Sequence, residues 1–162
     1  MLALRYVALL ALVVWVGGLI ALDGIAAPAL FDVMGAQQAA DGRLLAGAGF
    51  GEILRRFTVV GYAAGAILLM TLIVRAILGP RPLRFAWRMA LVLLMLASTA
   101  YGGIVVAGRI HQLQQTMGVA PSRLPASDPR RIEFGRLHGL STMLQIVPLL
   151  GGLTLTYWEL KG

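Results

Sequence analysis

The sequence predicts an all-α, polytopic membrane protein: one four-helix transmembrane bundle occupying residues 1–162 as a single domain. Three observations carry that prediction. Only 13% of the residues are charged while 59% are apolar, against ~25% charged in an ordinary soluble domain. Four runs without any charge, Tyr6–Leu22, Thr58–Val74, Met89–Gly108 and Gly139–Trp158, hold 17, 17, 20 and 20 residues. At ~1.5 Å of rise per residue each covers ~25–30 Å, the thickness of a bilayer's hydrocarbon core. The basic residues crowd the connections between these runs. A soluble enzyme, a disordered tail and a nucleic-acid module are excluded by this arithmetic.

The first span is expected at about residues 2–27. Its apolar run is longer than the ~7–15 residues of a signal-peptide core, so it reads as an uncleaved membrane helix. Pro28 marks its end or a kink, because proline lacks the N–H a continuing helix needs. In the segment 29–57, apolar residues recur at Leu45, Phe50, Ile53, Leu54 and Phe57. That spacing fits an amphipathic helix at the interface or a helix running directly into the second span. Asp41-Gly42 is the break before it. The second span covers about 56–78 and is stopped by Gly79-Pro80-Arg81-Pro82. The third covers about 85–110. A polar loop with Pro121, Pro125 and Pro129 follows. The fourth covers about 131–159, with Asp128 or Ser127 as its cap and Pro129 in its first turn.

Four spans place both termini and the 2–3 connection on one face. This terminal face carries Arg5, Arg75, Arg81, Arg84, Arg88 and Lys161. The opposite face carries Arg43, Arg55, Arg56, Arg109, Arg123, Arg130, Arg131 and Arg136. The counts nearly tie, so orientation rests on the first helix, whose N-side has Arg5 and whose C-side is followed by Asp23, Asp32 and Asp41. Cytoplasmic termini are expected. Fourteen basic against seven acidic residues give a net charge of +7. In this setting the excess meets lipid headgroups rather than DNA or RNA. The expected partners are the bilayer and either other membrane chains or a second copy. Thirteen of the basic residues are Arg and one is Lys, a bias typical of GC-rich bacteria, which points to a bacterial inner membrane. With no cysteine, disulfides, iron–sulfur clusters and thiolate zinc sites are excluded.

Small residues at four-residue spacing mark candidate packing faces: Gly17 with Ala21, Gly61 with Gly65, Ser98 with Gly102, and Thr99 with Gly103. Such faces let helix backbones approach in lipid. Polar groups form the second class of candidates, since burying them in lipid is costly. On the fourth helix His138, Ser141 or Thr142, and Gln145 share one face. Arg109 and His111 end the third helix, and Asp23 is the one acid in an apolar stretch. Topology brings Asp23, Arg109, His111 and His138 to one end of the bundle. Three readings stand for that cluster. It is an ion-paired clasp in which the His138 ring points inward and bonds a group of the first or third helix, Asp23 and Arg109 being the candidates. Or it is a haem or copper site using His111 and His138, with Met34, Met117 or Met143. Or it is a proton or small-solute site in which His138 titrates.

Trp87 and Tyr157-Trp158 sit at span ends, as interfacial aromatics do, and mid-span Trp15 is expected to pack inside the bundle. No nucleophile–base pair, P-loop or dinucleotide fingerprint is present. The expected function is therefore that of a non-catalytic membrane protein without a cofactor, an accessory or structural subunit. The alternative is a transporter or a metal or drug stress-resistance protein using the cluster around Asp23 and His138.

Several motifs together resemble a known family: Trp15-Val16-Gly17-Gly18, Ala27-Pro28-x-Leu30-Phe31, Gly108-Arg109-Ile110, and Phe134-x-x-Leu137-His138-Gly139-x-Ser141. It is a family of four-helix membrane proteins of unknown function, a DUF4149-like domain that includes the eukaryotic transmembrane protein 205. The resemblance runs from Trp15 to about Leu155. It implies the four-helix fold, and the link of transmembrane protein 205 to cisplatin resistance is what feeds the stress-resistance alternative. More distantly the chain is similar to the copper-resistance D membrane proteins, without their Met- and His-rich ligands.

Overall fold

The computed structural model describes residues 2–37, 42–79 and 81–161. It consists of four helices long and apolar enough to cross a membrane: α1 (Leu2–Ala36), α2 (Gly42–Leu78), α3 (Phe85–Met117) and α4 (Pro129–Lys161). Among the described residues there is no strand. Helices are the answer lipid demands, because a spanning segment must satisfy every backbone N–H and C=O internally. The principal contacts run α1–α2, α2–α3, α3–α4 and α4–α1. The chain therefore goes up and down around a ring, and the last helix closes on the first.

The core is a single apolar column. Ala8, Ala11, Leu12, Trp15 and Leu19 line the inner face of α1 at helical spacing, and meet Ala64, Leu68 and Leu72 of α2, Val92 and Met95 of α3, and Leu155 of α4. Trp15, expected inside the bundle, is only 1% exposed. Glycines let these side chains seat on neighbouring backbones. A Cβ on Gly61 would lie 3.0 Å from Trp15 Nε1, and one on Gly151 would lie 2.9 Å from Met95 Sδ. Gly65 lies under Leu96, and Gly152 under Val16. Outward-facing residues such as Val13, Val59, Met70 and Leu94 are apolar and exposed, as a lipid-facing surface requires.

The helices are longer than the apolar runs that announce them. α2 has 37 residues, ~55 Å of helix against a ~30 Å hydrocarbon core. Of the two expectations for its approach, the direct one holds: residues from Gly42 run without a break into the second span. The proposed break at Asp41 lies outside the described residues, as does Pro80 of the 2–3 turn. α3 continues past residue 110 to Met117, where Gly118 adopts a left-handed conformation (φ +64°) and donates its N–H to Gln114 O at 3.2 Å.

Pro28 does not end α1, contrary to expectation. The segment just before it, Leu22–Ala26, is a π turn closed by the Ala27 N–H donating to Leu22 O. A proline conflicts with the carbonyl four residues earlier in α geometry. The wider turn changes that geometry, so the helix passes Pro28 and continues to Ala36. A second π turn occupies Tyr101–Val106 in α3. At the start of α4 the cap falls where expected. Asp128 Oδ1 accepts the Arg130 N–H at 2.9 Å. The Arg130 guanidinium, bonded to the same side chain, holds the Asp128 carboxyl below the usual carboxylate range.

Candidate functional site

Each helix contributes a charged residue within about a turn of its end on the terminal face: Arg5 from α1, Arg75 from α2, Arg88 from α3 and Glu159 from α4. Antiparallel succession puts all four at one level. Their chain positions make the carboxylate the hub. Arg75 Nη1 donates to Glu159 Oε1 and Oε2 at 2.9 and 2.8 Å. Arg88 Nη1 donates to Glu159 Oε1, and its Nη2 donates to Trp158 O at 2.7 Å. Arg5 donates to the backbone O of Glu159 and stands 3.8 Å from Oε2. Glu159 is 4% exposed, Arg75 7% and Arg88 2%.

Three guanidinium groups thus share one carboxylate, leaving two positive charges in excess within the cluster. In a buried setting such a charge persists only when paired and hydrogen-bonded. The pairing ties all four helices at one end. Arg84 stands just outside, in a left-handed backbone conformation (φ 59°) that a non-glycine residue adopts only when surrounding structure holds it there. Its guanidinium carbon lies 5.6 Å from the Trp158 ring centroid, and Lys161 Nζ lies 4.8 Å from that of Tyr157.

At the opposite end the expected polar cluster is only partly assembled. Asp23 sits within the α1 π turn and Gln145 on α4. With the Gln145 amide turned so that its nitrogen faces the carboxylate, it donates to Asp23 Oδ2 at 3.0 Å and Oδ1 at 3.3 Å. Gln145 is therefore the partner of Asp23, in place of Arg109 or His138. Arg109 is exposed. His111 is exposed and shares a 2.9 Å hydrogen bond with Gln115 of its own helix. His138 is exposed and stacks on Phe134, one turn earlier, with ring centroids 6.1 Å apart. Ser141 is half-buried, while Thr142 returns its hydroxyl to His138 O at 3.1 Å.

The inward-pointing His138 ring is thus corrected, and the reason is angular. Leu137 takes the buried position of that turn. His138 is rotated ~100° from it and left outside. His138→Ala should accordingly change stability by less than ~0.5 kcal/mol in thermal unfolding of the detergent-solubilised protein. A loss several times larger would show that the ring holds a contact with another helix. Among the described residues no three His, Asp or Glu side chains gather in a group that could hold a metal ion.

The packing candidates divide. Gly61 and Gly65 receive Trp15 and Leu96, Gly102 receives Leu144 at 3.6 Å, and Gly103 receives Thr58 at 3.0 Å. Ser98 is buried and donates to Met95 O at 2.9 Å. Among the described residues nothing lies within 4 Å of a Cβ at Gly17, so they do not use it as a packing face. It stands ~200° round α1 from Trp15, on the outer face. The Arg75–Arg88–Glu159 hub is absent from the sequence reading. Its signal was a charged residue within a turn of each span end on one face, with Glu159 the one acid among them.

Residues 10–118 match the family described as a domain of unknown function, DUF4149. That stretch is most of the chain, so the protein belongs to this family, as its motifs suggested. The matched residues cover most of α1 and all of α2 and α3, and leave α4 outside, with Glu159 and the Phe134–Ser141 motif. No curated protein and no solved structure matches the chain. What the fold and the family define together is a helical protein with the make of a multi-pass membrane protein.

Proposed function

We propose that this protein is a non-catalytic component of the membrane, a small accessory or structural subunit of a larger membrane complex, working without a cofactor. The observation that carries the reading is the filled middle of the bundle. Trp15 on Gly61, Leu96 on Gly65, Met95 on Gly151 and Val16 on Gly152 interlock all four helices at mid-membrane depth. A carrier needs a central site that two alternative packings can open in turn. Close-packed side chains seated on backbone resist such alternation, because a packed core does not deform continuously. The tie at Glu159 clamps one end of the same bundle.

The same proposal sets the protein in a bacterial inner membrane with cytoplasmic termini. Since the basic counts of the two faces nearly tie, the support for this orientation is the first helix, with Arg5 on its N-side and no basic residue after its span before Arg43. Purification in a mild detergent is expected to recover the chain with other membrane proteins in fixed proportion. A homo-oligomer that comes down alone, and that moves metal ions or a cationic drug into liposomes, would replace this reading with that of a transporter for stress resistance.

A further inference from the structure

Beyond this role, the terminal face holds a cleft with no assigned occupant. It lies between the start of α3 and the end of α4, measures about 220 Å3, and is lined by Leu83, Arg84, Arg88, Tyr157, Trp158 and Lys161. At ~30 Å3 per water, that is room for about seven waters or one small polar headgroup. Three of the six lining residues are cations and none is an acid. Among the described residues, neither Arg84 nor Lys161 has a carboxylate within ion-pair distance; each lies over an aromatic ring instead.

A second, independent observation concerns Arg88. Its side chain is 2% exposed, and while both terminal nitrogens are bonded, its buried Nε–H has no partner among the described residues. A buried donor without an acceptor costs free energy, and on a cation the cost is greater. The charge count agrees, since Arg5, Arg75 and Arg88 share one carboxylate and leave two positive charges unmatched. An anion in this cleft, which Arg88 lines, would offset that excess. The surroundings say what should follow the anion. Leu83 in the lining is 73% exposed, and Trp87, next in sequence to Arg88, is 72% exposed; aromatic and apolar residues at a span end meet the depth where headgroups give way to acyl chains.

We propose that the cleft binds the phosphate group of an anionic phospholipid, with Arg84 and Lys161 flanking the phosphate, Arg88 at its base, and Leu83 and Trp87 against the acyl chains. Free phosphate shares the anionic chemistry but could not use the apolar flank.

The test is thermal unfolding of the purified full chain in a nonionic detergent, titrated with one of three probes. These are short-chain phosphatidylglycerol, phosphatidylcholine of equal chain length, and inorganic phosphate. Phosphatidylglycerol should raise the melting temperature saturably, and the other two should not. The double substitution Arg84→Gln, Lys161→Gln should weaken apparent phosphatidylglycerol affinity roughly tenfold or more. Both residues are exposed, so the fold should survive. Arg81→Gln, an exposed arginine on the same face but outside the cleft, should leave the affinity unchanged. Equal stabilisation by phosphatidylcholine, or an Arg81→Gln loss as large as that of the double variant, would overturn the site. Equal stabilisation by inorganic phosphate would overturn the lipid as its occupant. None of these outcomes bears on whether the chain co-purifies with partners.

Discussion

Replacing Glu159 with glutamine should lower the stability of the bundle by about 3–5 kcal/mol, the usual cost of removing one side of a buried ion pair. Two guanidinium groups that are nearly inaccessible would lose their counter-charge, and the new amide would point an N–H₂ at donors it cannot satisfy. The comparison that separates pairing from packing is the triple variant Arg75→Met, Arg88→Met, Glu159→Leu. Removing all three charges together should restore most of the loss, because well-packed apolar side chains often replace a buried charge network at little cost. Unfolding in mixed detergent micelles, followed by circular dichroism, reads both. Glu52 provides the contrast: it pairs with Arg55 and Arg56 at 2.7 and 2.8 Å on an exposed surface, and Glu52→Gln should be silent. Wild-type stability in Glu159→Gln would mean that the cluster holds nothing together.

Gly152→Ala should cost about 1–3 kcal/mol, the range for overpacking a close-packed interior. The added methyl would run into Val16 Cγ2. Valine on a helix has one strongly preferred rotamer and cannot swing aside, so backbone must move. Gly65→Ala meets the flexible end of Leu96 instead and should cost less. Gly17→Ala meets nothing and should be neutral or favourable by a few tenths of a kcal/mol through helix propensity. The same unfolding measurement gives the order. If Gly152→Ala and Gly17→Ala behave alike, helix contact at Gly152 is looser than described.

The fold class could be read from the sequence because hydrocarbon thickness is written into chain length as uncharged runs. Helix ends could not be read so well. Hydropathy reports where lipid stops, not where the helix stops, so α2 begins at Gly42 rather than near residue 56 and α3 reaches Met117. Pro28 misled because the rule against internal proline assumes α geometry, and Leu22–Ala26 departs from it. For the polar groups, topology gave the correct end of the bundle to Asp23, Arg109, His111 and His138. It could not give their azimuth, and one residue's rotation put Leu137 inside and His138 outside. The hub at Glu159 was passed over for a different reason. Counting Arg75 and Arg88 as topology signals treats them as solvated, and only three-dimensional packing reveals that they are enclosed.

The two π turns also bear on which changes of length the chain can absorb. Such a turn is an α-helix with one residue inserted, the ladder on either side kept intact. Deleting a single residue within Tyr101–Val106 would restore ordinary helix, with both flanks still facing as they do now, whereas in Leu22–Ala26 it would bring back the conflict that Pro28 has with α geometry. The same deletion next to Trp15 would swing everything after it by ~100° and carry Leu19 out of the core. In a bundle with little slack elsewhere, the Tyr101–Val106 turn is where natural variants shorter by one residue could arise without losing the fold.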